Sequence, residues 1–403
     1  MLHPEKKRAR SVDMPGRSRK FTDMVYSGKH PKPGKLLGEV FGSERDFDPP
    51  APQYELFCGE MHCHSNLSDG RRHVEVDDCF RSIRDIAELD FGALSDHDHG
   101  GVGYAELWTD GKWDLIRQKV AEYDQPGQFT TFLAYERDSY PYFNNMVIYY
   151  RNADSEMIRD GRDGEITAKK LKELLAREDV LIVPHDSYCL SAGCDFSTLE
   201  PELFPPLLEI YSCSDCAEYF DHPLHKDSWV RGGSWHDALK RGARMGVIGA
   251  SDDHLGTPGQ DLPAEEYPCC YRGVTGVWAA ENTREAIFDA LRKRRCYAFM
   301  GNDRMYMDFR INGHYMGEEF TLAPGEEKTI WIDFRCNEPV RSVTLVKNCQ
   351  DHVILYGRGR QTIFDYRQDS PCDCYYVRAI TEKGRYCWSS PIWVNKTTDD
   401  QQG

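Results

Sequence analysis

The sequence predicts an α/β fold: a seven-stranded barrel followed by a small antiparallel β-sandwich. Three observations carry that expectation. Seven short apolar runs, separated by stretches with helical periodicity, follow one another between residues 54 and 280. After residue 300 the helical stretches stop and short alternating runs take over. The 403 residues, 40% hydrophobic and 29% charged, suffice for two to three domains with a sizeable core. That composition excludes a collagen-like, low-complexity or wholly disordered chain.

Residues 1–53 read as a basic N-terminal arm and linker. Positions 1–36 carry ten Lys or Arg against Glu5, Asp13 and Asp23, and Asp48-Pro49-Pro50-Ala51-Pro52 closes the segment. Residues 54–299 carry the barrel. Its runs are 56–64, 91–95, 130–136, 180–185, 207–212, 246–251 and 274–280, with 146–151 expected as an accessory hairpin or edge strand. Helices are expected over 73–89, from the spacing of Val76, Phe80, Ile83, Ile86 and Ala87, and over 168–177 behind a Thr167 N-cap. Two more are expected over 235–241, between Ser234 and Gly242, and over 284–294 behind Thr283. Strands alternating with helices imply parallel pairing under helical cover.

Residues 300–396 read as the sandwich. Ile330, Ile332, Phe334 and Cys336 alternate with Trp331, Asp333 and Arg335, which marks a half-buried strand. Further runs lie at 305–311, 342–346, 353–356, 362–366, 374–381 and 390–394, with turn signals at Asn312-Gly313, Pro324-Gly325 and Lys383-Gly384. Residues 397–403 are a polar tail.

A net charge of −16 disfavours a general nucleic-acid binder and a protein held to anionic lipid by bulk charge. Fifteen cysteines, with no apolar signal core in the first thirty residues and no membrane-length apolar run, point to a soluble protein of the reducing cytoplasm with buried thiols. Cys213-x-x-Cys216 and Cys372-x-Cys374 are single pairs without a partner at zinc-ribbon spacing. The expected partner is a small-molecule substrate, with no nucleic acid and no membrane; a homo-oligomer stays open.

The chemistry gathers at the C-terminal ends of the strands. Strand one ends in His62-Cys63-His64, followed by Ser68-Asp69-Gly70; strand two ends in Ser95-Asp96-His97-Asp98-His99. Strand three ends in Glu136, strand four in Pro184-His185, and strand six in Ser251-Asp252-Asp253-His254. Parallel α/β barrels build their active sites at that end. His62 and His64, two apart on a strand, point to one face. Several imidazoles and carboxylates packed without a cation would bury uncompensated charge. The mixed nitrogen and oxygen set suits Zn, Mn or Fe, two or three divalent ions in all, which would generate a nucleophile from water at neutral pH. His73 and His236 fall on expected helices, His3, His30, His314 and His352 fall outside the barrel, and His99, His222 and His225 stay ambiguous. Trp108, Trp113, Tyr140, Tyr142 and Phe143 lie near strand ends and suit core or lid packing better than a substrate pocket.

The set H-x-H-x4-D-G (His62 to Gly70), S-D-H (Ser95 to His97), Glu136, Pro184-His185 and S-D-x-H (Ser251 to His254) resembles the PHP (polymerase and histidinol phosphatase) superfamily of distorted seven-stranded (βα) barrels. Leu208-Glu209-Ile210-Tyr211-Ser212, Gly256-Thr257-Pro258-Gly259, Thr283-Arg284-Glu285-Ala286-Ile287 and Trp388-Ser389-Ser390-Pro391-Ile392-Trp393 are similar to its carbaryl-hydrolase-like (CehA/McbA-type) metallohydrolase branch. The resemblance implies that His62, His64, Glu136 and Asp252 hold a first metal. Glu136 would bridge to a second, joined by His185, and Asp69, His97 and His254 would hold a third. It also implies hydrolysis of a small-molecule ester, carbamate, amide or phosphoester; the competing readings are a phosphoesterase specifically and a non-catalytic, metal-stabilised binding protein. Arg137 and His99 are the candidate catalytic residues, Arg137 as an anion binder beside Glu136. After the fifth strand this chain reads Cys213-Ser214-Asp215-Cys216, without the histidine many members carry, so either Glu209, Cys213, Asp215 or His222 substitutes or the second site is weak. Tyr142-Phe143-Asn144-Asn145 likewise lacks a histidine expected in the branch.

Overall fold

The first three strands, β1 (Glu55–Glu60), β2 (Phe91–Leu94) and β3 (Thr130–Ser139), pair in parallel and in sequence order. This computed structural model describes residues 50–98, 111–139, 143–158, 167–189, 193–212, 216–224, 231–262, 271–323 and 325–397. Next come β4 (Phe143–Tyr150), β5 (Val180–Pro184), β6 (Leu207–Tyr211), β7 (Gly246–Gly249), β8 (Gly273–Ala279) and β9 (Cys296–Met300). β6 and β7 pair in parallel, as expected of strands joined through helical segments.

The run at 146–151, expected as an accessory hairpin or edge strand, is β4: it makes the hairpin with β3, and it is not an edge, because it also pairs antiparallel with β5. Only residues 140–142 separate β3 from β4, too few for a parallel crossover, so the chain must double back. Reversing twice restores β5 to the direction of β3. One expectation about direction is corrected: the run at 274–280, expected parallel, is β8 and lies antiparallel to β1 and to β9. A strand buried along its whole length carries no signal of its direction.

The expected helix starts hold because their caps work. Thr167 Oγ1 accepts from Lys170 N–H ahead of Ala168–Leu175, and Thr283 Oγ1 accepts from Ala286 N–H ahead of Arg284–Arg292. Ser234 and Asp237 form a reciprocal capping box ahead of Trp235–Lys240; such caps contribute about 1 kcal/mol each. The 73–89 helix is shorter than expected. Val76–Arg81 is α-helical, Ser82–Ile86 widens into a π turn, and Ile86 swings out to 63% exposure. Sequence reading missed the helix Lys112–Tyr123, whose Trp113 packs edge-on against Tyr135.

The C-terminal region holds β10 (Tyr306–Ile311), β11 (His314–Tyr315), β12 (Glu319–Leu322), β13 (Lys328–Arg335), β14 (Val340–Lys347), β15 (Gln350–Tyr356), β16 (Arg360–Asp365), β17 (Cys372–Thr381), β18 (Tyr386–Ser389) and β19 (Ile392–Lys396). β11, β10, β13 and β16 make one antiparallel sheet. The other strands join the sheet of β9, β8 and β1–β5 through β18, which pairs with β9, while β6 and β7 form a separate two-stranded sheet in place of the expected continuous seven-stranded barrel. The region departs from a purely antiparallel sandwich at β12, parallel to β19. β9, β11, β12 and β18 were not expected.

Along β3 to β7 side chains alternate between two faces. Phe132 and Ala134 of β3, Val147 and Tyr149 of β4, Leu181 and Val183 of β5, Leu207 of β6, Ile248 of β7 and Ala250 just after it form one buried layer. Two residues on from that layer stand Glu136, Glu209, His185 and Asp252. The strand period of 2 thus delivers the polar groups onto the same interior face, one step above the apolar plug. Among the described residues no helix is long and apolar enough to cross a membrane.

Candidate metal centre

The segments that follow β1 and β7 meet at the mouth of the site. His64 N–H donates to the Asp253 carbonyl and Asp252 N–H to the His62 carbonyl, at 2.8 Å each. Beneath them lies Glu60, fully buried. One of its oxygens accepts from Met61, His62 and Ser251 N–H, and the other from Gly259 N–H. Burial pushes the Glu60 carboxyl up to about 7. Asp96 does similar work for the loop carrying Asp69, accepting from Ser65 N–H, Ser65 Oγ and Ser68 Oγ at 2.6–2.8 Å. That loop closes tightly at Gly70, where a Cβ would lie 2.5 Å from the Ser65 carbonyl oxygen. Asp252 itself stands at φ +51°, a left-handed conformation that costs of order 1–3 kcal/mol and clusters at functional sites.

The structure brings together His62, His64, Asp69, His97, Glu136, His185, Asp252 and His254. They form three overlapping groups: His64, Asp69, His97 and His254; His62, His64 and Asp252; and His62, Glu136 and His185. Within each group the candidate ligand atoms lie within 4.8 Å of one another. Glu136 is the hub. Its Oε2 lies 3.3 Å from Nε2 of His62, His64 and His97, and its Oε1 lies 2.7 Å from His185 Nε2. Asp252 Oδ1 stands 3.5 and 3.3 Å from Nε2 of His62 and His64. Asp69 Oδ2 reaches His254 Nε2 at 2.9 Å and His97 Nε2 at 3.7 Å.

These spacings fit ligands better than a hydrogen-bonded network. Two donors each about 2.1 Å from a tetrahedral cation stand roughly 3.4 Å apart. His62 Nε2 and His64 Nε2 are 3.1 Å apart, where two lone pairs would repel without a proton or a cation between them. His62 and His64 are fully buried, whereas the Asp69 and His254 side chains keep 15% and 34% exposure, so the mouth opens on their side. The charges are mutually stabilised. Burial pushes the Glu136 carboxyl up, but His97, His185 and His62 outweigh it and hold it well below the usual range; His62 and His64 do the same for Asp252. Burial pulls His62 down, and Glu209 and Asp252 lift it well above its ordinary value.

Arg137 is placed elsewhere. Its neighbour on β3 is Glu136, so the two point to opposite faces; its Nη1 donates to the Ile158 carbonyl at 3.0 Å behind the wall. His99 lies outside the described residues, as do His225, Cys213 and Asp215. His222 is packed between Tyr219 and Tyr386 away from the mouth, with Nε2 3.1 Å from Glu218. Glu209 stands behind His62, its Oε2 2.9 Å from Nδ1. Trp113 and Phe143 are core residues, and Trp108, Tyr140 and Tyr142 lie outside the described residues. Glu60 and Asp96 were missed as supports, and their burial inside strand-end motifs was the available signal. The described cysteines are free thiols.

Comparison with known proteins adds relatives of unknown activity. Residues 262–328 match a family described as Protein of unknown function (DUF3604). An uncharacterized protein of Chlamydia pneumoniae is 25% identical over 372 residues, covering 84% of this chain and 57% of its own length. An uncharacterized protein of Chlamydia muridarum is 24% identical over 380 residues with the same coverage. The chain therefore spans about 57% of the length of the curated relatives it matches. Among solved structures, a two-domain protein of Bacteroides vulgatus containing a predicted PHP-like metal-dependent phosphoesterase aligns over 88% of this chain and 100% of its own, at 14% identity and a TM-score of 0.43. Fibronectin(III)-like modules of Clostridium thermocellum CbhA align over 22% of this chain and 93% of theirs, at 17% identity and a TM-score of 0.19.

Proposed function

We propose that this chain is a metal-dependent hydrolase of the PHP type, closest in its motifs to the carbaryl-hydrolase-like branch, acting on a small-molecule ester, carbamate, amide or phosphoester. The single observation that carries the reading is Glu136, one buried carboxylate shared by four imidazoles. His62, His64, Glu136 and Asp252 suit one cation, Glu136 and His185 a second, and Asp69, His97 and His254 a third. Divalent ions held there would polarise a carbonyl or phosphoryl oxygen and would make water acidic enough to supply a nucleophile at neutral pH. The residues contribute the rest. Glu136 and Asp252 supply negative charge that offsets the cations. Asp69 and His254, the exposed members, border the opening through which substrate enters. The apolar layer of Phe132, Leu181, Val183 and Ile248 closes the floor against water. Residues 54–299 form the catalytic unit in this reading, and residues 300–396 a structural or substrate-shaping one.

A panel of p-nitrophenyl phosphate, carboxylic ester and carbamate substrates, run with and without chelator, tests the proposal. Turnover of one class that chelator abolishes and added divalent metal restores is expected. Turnover indifferent to chelator, or no turnover of any class by a metal-loaded chain, counts against it.

A further inference from the structure

Glu209 lies outside the ligand groups, yet it touches two of them from the rear. Its Oε2 stands 2.9 Å from His62 Nδ1 and its Oε1 stands 3.7 Å from His185 Nδ1. Those nitrogens face away from the hub, since both rings turn Nε2 toward Glu136. The two rings meet edge to face, with centroids 4.5 Å apart, and the Glu209 carboxylate is 2% exposed behind them. An imidazole that offers Nε2 to a cation must carry its proton on Nδ1, and a buried Nδ1–H needs an acceptor. For His62 that acceptor is Glu209. His185 Nδ1 has a second carboxylate near it, Asp186 Oδ1 at 3.4 Å.

We infer that Glu209 is a positioning residue, not a metal ligand: one carboxylate on β6 fixes the tautomer and ring orientation of His62. His62 belongs to two of the ligand groups, one of them shared with His185, so Glu209 supports both metal positions that His62 serves. The inference rests on the metal-centre reading above. The Asp69, His97 and His254 position, out of its reach, should be independent of it.

The test is metal titration of the chelator-stripped full chain with Zn(II), followed by calorimetry and by metal content after gel filtration. If wild-type protein takes up no metal, the metal-centre reading fails. If it binds metal, Glu209→Ala should weaken the sites served by His62 by about ten- to a hundredfold and leave one site at wild-type affinity. Glu209→Gln keeps an oxygen that accepts from Nδ1–H, and should retain the wild-type stoichiometry with a smaller loss. An alanine variant that binds every ion as tightly as wild type overturns the inference. So does equal loss in both variants, because the charge itself would then be bound to metal. Should the alanine variant not fold, imidazole nitrogen resonances decide on the glutamine variant. A shifted His62 Nδ1–H signal with intact metal content supports the positioning role; an unchanged signal overturns it.

Discussion

Two buried polar clusters sit on either side of β6, and they solve the cost of burying charge in opposite ways. Beyond β6, the fully buried Glu218 meets a proton donor at each turn. Tyr376 Oη and Arg378 Nη1 donate to one oxygen at 2.6 Å, and Trp388 Nε1 donates to the other at 2.7 Å. Arg378 is in turn held by Asp351 at 2.7 Å. That cluster locks the segment after β6 onto β17 and β18, and needs nothing from outside. At the Glu136 cluster imidazole nitrogens face one another, and one carboxylate serves four rings. A closed network stabilises the fold, whereas a set of facing acceptors suits a site that binds a cation.

The comparison breaks first at Glu218. Glu218→Ala leaves Arg378 with Asp351 alone and the buried Tyr376 Oη and Trp388 Nε1 without this acceptor, so unfolding should become about 3–5 kcal/mol easier while metal content per folded chain stays the same. Denaturant unfolding and elemental analysis on one preparation check both halves; lost metal with unchanged stability would invert the two roles. Glu136→Gln should do the reverse. It removes the shared charge, and turnover should fall at least a hundredfold, about 3 kcal/mol in the barrier, with little loss of fold. Steady-state rates and circular dichroism measure this.

The pH dependence sharpens the contrast. In the metal-free chain burial pulls His254 down, but Asp69 and Asp252 lift it to about 9, and His62 and His185 also lie above the ordinary 6.5. Raised histidines stabilise fully below pH 6.5, and that contribution is lost as pH rises through about 9. Asp69, Glu136 and Asp252, held low by their histidines against burial, stabilise above their ordinary 3.8–4.5 and lose it in acid. Stripped protein should therefore weaken from neutral toward alkaline pH, while metal affinity climbs over the same range because the protons must leave. Unfolding midpoints of stripped protein that rise toward pH 9 would contradict this. The smallest effect is expected from His314→Ala with His352→Ala. His314 stacks on Phe320 and pairs with Glu318, and His352 sits beside Asp365. Metal content should not change, and any lost ion would place a ligand in the sandwich.

Much of the centre was legible because strand parity is strict: Phe132, Ala134 and Glu136 share a face, as do Leu181, Val183 and His185. The same parity sets Arg137 on the other face, so adjacency in sequence misled where alternation would have excluded it. Glu209 inside an apolar run reads the same as a ligand or as a support, because the sequence does not show which imidazole nitrogen it meets. The reversal of β4 fits the expected hairpin, whereas that of β8 was hidden in a strand without polar alternation. Cap residues were read correctly at Thr167, Ser234 and Thr283 because each acts within three residues of itself.

Elemental analysis of the full chain, purified without chelator and again after reconstitution with Zn, Mn or Fe(II), tests the metal centre most directly. About two or three ions per chain are expected from the number of ligands a cation requires, with fewer in His62→Ala. A chain that holds none, and whose melting temperature is the same with metal and without, would contradict it.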